Sequence, residues 1–484
     1  MLSTGLVALD STIIATAVPS VVKDLGGFSQ FPWLFSIYLL SQAVTVPLYG
    51  KFADVVGRRP LMFFGIAMFL VGSVLCGLAW SMPSLIAFRA VQGIGAGAVQ
   101  PMSMTIVGDL YSVEERARVQ GYLASVWGIA AVVGPTLGGF FSDYLSWRWI
   151  FFVNLPLGAV AWVTLSRRFK ESVAHREHTI DWTGAALLTT GCSLAILGLL
   201  EGGVAWAWGS ATSIVILAVA GMSLLGFVAV ERVATEPVLP LWVFGRRVLV
   251  GGNLVSLAVG ALVIGLTSYV PTYAQGVLGA SAVVAGFALA ALTIGWPLSA
   301  ALAGRLYLRI GFRSTSFIGA VGAIAGTLLC LLLGVNSSLW QVAAVCFVIG
   351  VGMGLVASPT LVAVQSVVGW DRRGVVTGAN MFCRSIGSAL GAAIFGAIAN
   401  ASLNHRFAHP PASLAGKLPR GADAASIAIG GHGPSRTSPA GEFVRHALGA
   451  ASHDVFVGLA VLAVLTVGFL LLMPHRTEEL SFEA

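Results

Sequence analysis

Charge is what this sequence has least of. Asp, Glu, Lys and Arg make up 10% of its 484 residues, against 57% hydrophobic residues and a mean hydropathy of +0.89. A soluble chain of this length needs far more charge to cover its surface, so a water-soluble globular protein is excluded. Cysteine is sparse as well. Cys76, Cys192, Cys330, Cys346 and Cys383 all fall inside apolar segments without metal-ligand spacing, which points to buried packing rather than a metal site. No Walker loop is present, so ATP is not the direct energy source. The glycines of Gly93-Ile94-Gly95-Ala96-Gly97 sit inside an apolar segment with no strand before them, which excludes a dinucleotide loop. His, Asp and nucleophilic side chains do not cluster at one depth, so no enzyme, cofactor or metal is expected. His405, His409, His432, His446 and His453 share one stretch, but their irregular spacing reads as solvated loop histidines. The first apolar segment lacks a basic leader and is followed by others, so no cleavable signal is expected.

Long apolar runs are what the chain has in abundance. Fourteen segments are long enough to cross a bilayer as helices, which takes about 20 residues each. They fall near 3–22, 33–50, 60–80, 83–107, 119–141, 148–166, 182–201, 211–230, 248–274, 282–304, 314–334, 338–363, 374–400 and 453–473. Membrane barrels are excluded, because barrel strands alternate over about 10 residues and these runs are uniformly apolar. The 59 glycines suit helices that approach closely in lipid. The fold class is therefore an all-α polytopic membrane protein.

Net charge is +7 and the pI near 9.4, values that in another chain would suggest nucleic acid. Here the bases mark topology instead. With the loop at 50–60 placed inside, 18 Lys and Arg fall in inner connections and only Lys23 and Arg148 in short outer ones. Positive residues stay on the cytoplasmic side, so both termini are expected inside. Residues 401–452 form one long outer connection; 408–441, rich in Ala, Gly, Pro and Ser, read as mostly disordered, and Glu442 to His453 as a short interfacial helix.

The densest charge lies in Gly50-Lys51-Phe52-Ala53-Asp54-Val55-Val56-Gly57-Arg58-Arg59, between two apolar spans. The glycines permit a tight turn, and Arg58 and Arg59 hold the loop at the headgroup level. Asp54 needs a positive partner near the interface. The free amides at the start of span 13, near Arg373-Gly374, are the candidate. A degenerate echo, Gly304-Arg305-Leu306-Tyr307-Leu308-Arg309-Ile310-Gly311-Phe312-Arg313, follows span 10 with its glycines in register but no acid. That repeat divides the chain into a six-helix bundle (1–168), a two-helix insert with its linkers (169–246) and a second six-helix bundle (247–484).

The run at 50–59 resembles the loop between helices 2 and 3 of the major facilitator superfamily, G-x-x-x-D-x-x-G-R-R. The resemblance implies a latch between two halves, carried here by Gly50, Asp54, Gly57, Arg58 and Arg59. Three further runs resemble the fourteen-span drug:proton antiporters of that superfamily. The first, Leu9-Asp10-Ser11-Thr12 through Pro19, resembles L-D-x-T-x-x-N-x-A-L-P, with Ala15 in place of Asn and Val18 in place of Leu. Gly128 through Gly139 match the antiporter motif g-x-x-x-G-P-x-x-G-G at Gly134, Pro135, Gly138 and Gly139. Trp147-Arg148-Trp149-Ile150-Phe151-Phe152-Val153-Asn154-Leu155-Pro156-Leu157-Gly158 match W-R-W-I-F-x-x-N-x-P-x-G. The span-4 run Arg89-Ala90-Val91-Gln92-Gly93 matches the superfamily's R-x-x-q-G, whose arginine is implicated in proton transfer.

Asp10 is the only carboxylate near the middle of any span, about 15 Å from the inner end at helical rise. Burying an ionised acid there is expensive. Two roles stay open: a proton carrier that alternates between neutral and paired forms, or a structural hydrogen bond to a neighbouring helix. Arg89 either snorkels to the outer interface or pairs with Asp10. Tyr38, Gln42, Gln92, Trp127, Asn253, Gln365, Asn380 and Arg384 are candidates to line a substrate cavity. The resemblance implies a monomeric exporter in the cytoplasmic membrane, with no nucleic-acid partner, that moves lipophilic, cationic or neutral compounds against protons by alternating access. A narrow-specificity exporter of a metabolite, siderophore or lipid, and an uptake symporter, remain as alternatives.

Overall fold

The computed structural model describes residues 1–25, 33–169, 171, 181–202, 206–280, 282–409 and 438–475. Residues 410–437, which contain His432 and most of the stretch read as disordered, lie outside the described residues, as does the side chain of Pro135. Among the described residues the chain is helical, without a β-strand. The helices are α1 (Leu2–Leu25), α2 (Trp33–Val56), α3 (Arg58–Gly77), α4 (Met82–Leu110), α5 (Val113–Tyr144), α6 (Trp149–Phe152), α7 (Asn154–Arg168), α8 (Trp182–Glu201) and α9 (Ala211–Glu231). They continue with α10 (Arg247–Gly276), α11 (Ala282–Ile310), α12 (Phe312–Cys330), α13 (Leu339–Ser366), α14 (Arg373–Ala408) and α15 (Pro439–Leu471).

Local sequence sets several of these starts. Ser81, Asp181, Ser210, Ser338 and Ser438 stand just before α4, α8, α9, α13 and α15, and each side chain accepts the amide three residues on. Such caps satisfy one of the amides that a helix start leaves free. Two single glycines separate neighbouring helices. Gly57 (φ 103°) alone lies between α2 and α3, and Gly311 (φ 85°) alone between α11 and α12. Other residues are strained at such φ values, so the paired glycines of the repeat impose the same sharp bend twice.

The expected loop at 50–59 is thereby shortened. Helix α2 continues to Val56, so Asp54 is carried on a helix and only Gly57 turns. Charge at a span end looks like loop in the sequence, yet those side chains are held by partners described below. Similarly, α15 begins at Pro439, and Glu442 to His453 run continuously into the last span.

Eleven helices among the described residues are long and apolar enough to cross a membrane. Helices α2 and α4 are of similar length, 24 and 29 residues, but carry Gln42, Arg89, Gln92 and Gln100. Helix α1, 24 residues long, carries Asp10.

Helix α1 packs on α5, and α4 on α2 and α3; α13 packs on α11 and α12, and α10 on α14 and α15. The α3–α4 seam is close enough that a Cβ at Gly95 would lie 2.3 Å from the Phe69 amide nitrogen. Contacts between the early and late helices run through α5 on α11 and α2 on α14. Helices α8 and α9 pair with each other, and α8 lies against both α2 and α14. An apolar cluster that includes Leu40, Val44, Leu188, Ile196, Phe227 and Phe382 joins this pair to that seam.

Candidate functional site

Asp10 is 1% exposed and sits where α1 meets α4 and α7. Three donors from two other helices converge on it. Arg89 Nη1 lies 2.7 Å from Oδ2, while Gln92 Nε2 and Asn154 Nδ2 donate to Oδ1 at 2.8 and 2.9 Å. Arg89 and Gln92 are one helical turn apart on α4, so a single face delivers both. Gln92 Oε1 accepts from Arg89 at 2.7 Å, and Ser73 Oγ accepts from both Gln92 and Asn154. Arg89 also donates to the Leu34 carbonyl and lies 4.1 Å from the centre of the Tyr38 ring. A buried ion pair is tolerable only when its remaining hydrogen-bonding capacity is met in this way. The close approach of α3 serves the network, because a Cβ at Gly72 would lie 2.6 Å from the Gln92 backbone nitrogen.

Helix α5 packs directly on the next residues of α1. Thr12 Oγ1 donates to the Ala130 carbonyl at 2.8 Å, and a Cβ at Gly134 would lie 2.1 Å from that same oxygen and 3.1 Å from the Ile13 nitrogen. Gly138 is buried, whereas a Cβ at Gly139 would meet nothing. Gly134→Val is expected to force α1 away from α5 and lower stability by about 1–3 kcal/mol. Thermal unfolding of the purified protein measures this; an unchanged midpoint would show that the contact is slack.

A second polar cluster closes the end of the molecule that carries most of the bases. Asp54 accepts the Gly374 and Val375 amides, the first turn of α14, at 2.9 and 2.8 Å. Arg58, fully buried, lies 2.8 Å from Asp54 and donates through Nε to Asp109 at 3.0 Å. The same guanidinium donates to the Ala53 and Trp370 carbonyls and stacks 3.8 Å from the Trp370 ring centre. Asp109 also receives Arg373 at 2.8 Å. Arg373 and Gln365 further donate to the Gly108 and Met104 carbonyls, so α13 and α14 are tied to the end of α4. In the repeat, the Tyr307 hydroxyl donates to the Val113 carbonyl, a neutral contact between α11 and the start of α5.

The linkers of the α8–α9 pair also reach this end. Glu171 accepts the Arg58 and Arg59 amides at 3.0 and 2.7 Å, capping α3 where Gly57 has no side chain to do so. Glu236 lies 3.6 Å from Lys51.

The remaining expected residues are dispersed. Tyr38 and Gln92 belong to the Asp10 network, Gln42 receives no charge but donates to Gln100 at 2.7 Å, and Trp127 is half-buried on α5. Gln365 lies at the closed basic end. Asn380 donates to the Gly252 carbonyl and to Asn253 on α10, and Arg384 lies one turn beyond it. Sequence reasoning passed over Ser73, Asn154, Asp109, Glu171 and Glu236 as site residues. Asn154 had a signal, since it is the asparagine of the span-6 run.

Comparison with known proteins agrees with this architecture. The family model of the Major Facilitator Superfamily matches residues 1–392. The multidrug transporter protein MdtP of Bacillus subtilis is 34% identical over 447 residues, covering 91% of this chain and 82% of that protein. Multidrug resistance protein 3 of the same organism is 35% identical, covering 81% and 76%. Among solved structures, the human organic anion transporter MFSD10 superposes with a TM-score of 0.64 at 16% identity and covers 97% of each chain. The proton:xylose symporter XylE superposes with a TM-score of 0.59 at 14% identity, over 96% of this chain and 94% of that one. This chain is a multi-pass membrane transporter and belongs to the major facilitator superfamily.

Proposed function

We propose that the chain exports lipophilic small molecules in exchange for protons, with Asp10 as the proton carrier and Arg89 as its counter-charge. The observation that carries this reading is the Asp10–Arg89 pair at 2.7 Å, fully buried between spans. Protonation would turn one acceptor of that network into a donor facing a guanidinium, so binding a proton must break the pair and move α1 relative to α4. The contact of Thr12 and Gly134 passes any such movement to α5, the helix of the antiporter-type motif.

In this reading fourteen spans place both termini on the cytoplasmic side of the cell membrane, and two six-helix halves rock about a central site. The contacts of Asp54, Arg58 and Asp109 at the basic end support reading this form as the one with the latch engaged and the cytoplasmic side closed. Protons enter from outside, and export follows when the latch releases. A monomer suffices for the cycle. Reconstitution into liposomes with an imposed pH gradient, a panel of fluorescent amphiphiles and an internal pH dye tests the proposal. Substrate and protons are expected to move in opposite directions. Movement in the same direction would replace export with symport, and substrate movement without proton flux would remove Asp10 from its role.

A further inference from the structure

Among the described residues, Arg384 is a mid-span cation whose side chain is left without a partner. Its side chain makes no hydrogen bond or ion pair among the described residues, and its Nε is buried and unsatisfied. The surrounding contacts place it on the inward side of α14. One turn before it, Asn380 bonds to Gly252 and Asn253; beyond it, Ser388 Oγ donates to the Gly260 carbonyl and Gly391 packs on Ala261. All four partners belong to α10, so this stretch of α14 faces protein rather than lipid. Two more polar atoms on the same stretch of α10 are orphaned: Asn253 Nδ2 and Ser256 Oγ, in residues 3% and 4% exposed.

Arginine does not lose its proton in proteins, and an unpaired cation deep in a membrane protein is costly. Its counter-charge must therefore be supplied. Asp10 is already paired with Arg89, and no other described acid lies in mid-span. Arg384 is eleven residues into α14, about 16 Å at helical rise, which is close to the bilayer middle and beyond the reach of lipid phosphates. Central sites of this kind are where transporters of this build hold their substrates. A guanidinium on α14, with an amide N–H and a hydroxyl on the facing stretch of α10, is a donor set suited to the planar or tetrahedral oxygens of a carboxylate or sulfonate.

We infer that Arg384, with Asn253 and Ser256, anchors an anionic group of the exported compound, which is thus an amphiphilic organic acid rather than a cation. The inference rests on the export reading above for its direction but not for its binding chemistry. The test uses the full chain in lipid nanodiscs and a matched series: 1-pyrenebutyrate, 1-pyrenebutanol and 1-pyrenebutyl-trimethylammonium. The carboxylate is expected to bind about 10- to 100-fold more tightly than the alcohol, as charge-assisted hydrogen bonds imply, and the cation most weakly. Arg384→Gln should bring the carboxylate to the level of the alcohol while changing the alcohol's affinity by less than about 2-fold. Arg384→Lys, which keeps the charge, should retain part of the preference.

Equal binding of carboxylate and alcohol by the wild type, tighter binding of the cation, or binding of none overturns the inference whatever the variants do. So does an Arg384→Gln protein that keeps the preference. Failure of the export reading looks different: the carboxylate preference persists in nanodiscs, but liposomes show no opposing proton flux.

Discussion

Asp10→Asn is expected to lower proton-coupled transport by at least about 100-fold while the protein still inserts and folds. Asparagine matches aspartate in shape but can neither take up nor release a proton. It also leaves Arg89 buried without a counter-charge, among side chains that already donate to the 10 position. Breaking a buried pair from one side typically costs about 3–5 kcal/mol. The thermal midpoint should therefore fall in Asp10→Asn, and much of that loss should return in Asp10→Asn/Arg89→Gln, where both charges are gone. Transport should not return. This split separates the two roles left open by the sequence: a purely structural Asp10 would regain transport along with stability. The measurement is proton flux and substrate flux in liposomes, beside thermal unfolding of each variant. Coupled transport in Asp10→Asn at a rate near wild type would end the proton-carrier reading.

The sequence exposed this site unevenly, for a physical reason. Asp10 and Arg89 were legible because a charge inside an apolar run is expensive enough to demand a purpose. Asn154 and Ser73 complete the network, but a neutral amide or hydroxyl in a span is common and raises no such demand. At the basic end the difficulty was reversed. Asp109, Glu171 and Glu236 lie near span ends, where charge is ordinary and reads as solvated. Only the fold shows that Asp109 joins Arg58 of α3 to Arg373 of α14, and that Glu171 caps α3 from the linker to the helix pair. The helical course of α2 through Asp54 was hidden for the same reason. Local charge suggested a loop, and tertiary partners sustain a helix. The repeat, by contrast, was visible from glycine spacing alone, because positions 57 and 311 both require a left-handed backbone.

The proposed latch yields the second large effect. Asp54 meets two free amides of α14 at once, and the approach depends on missing side chains. A Cβ at Gly374 would lie 2.5 Å from Asp54 Oδ1, and one at Gly50 would lie 2.9 Å from the Gly374 carbonyl oxygen. A carboxylate offers acceptors to both amides and complements the positive end of the helix dipole. Asparagine offers one acceptor and turns its amino group toward the other N–H. The expected loss is about 1–3 kcal/mol from the closed state alone, which shifts the ratio of closed to open forms by about 5- to 150-fold. Asp54→Asn should therefore widen spin-label distances between the ends of α2 and α14 and reduce the transport rate about 10-fold or more, with membrane insertion unchanged. The binding preference for pyrenebutyrate should persist, because Arg384 lies about three helical turns along α14 from this end. Arg58→Lys makes the complementary case: it keeps a charge but loses the fork that reaches Asp54, Asp109 and two carbonyls together. If both variants keep wild-type distances and rates, the cluster serves topology only. If distances widen while transport is unaffected, closure of this end does not limit the cycle.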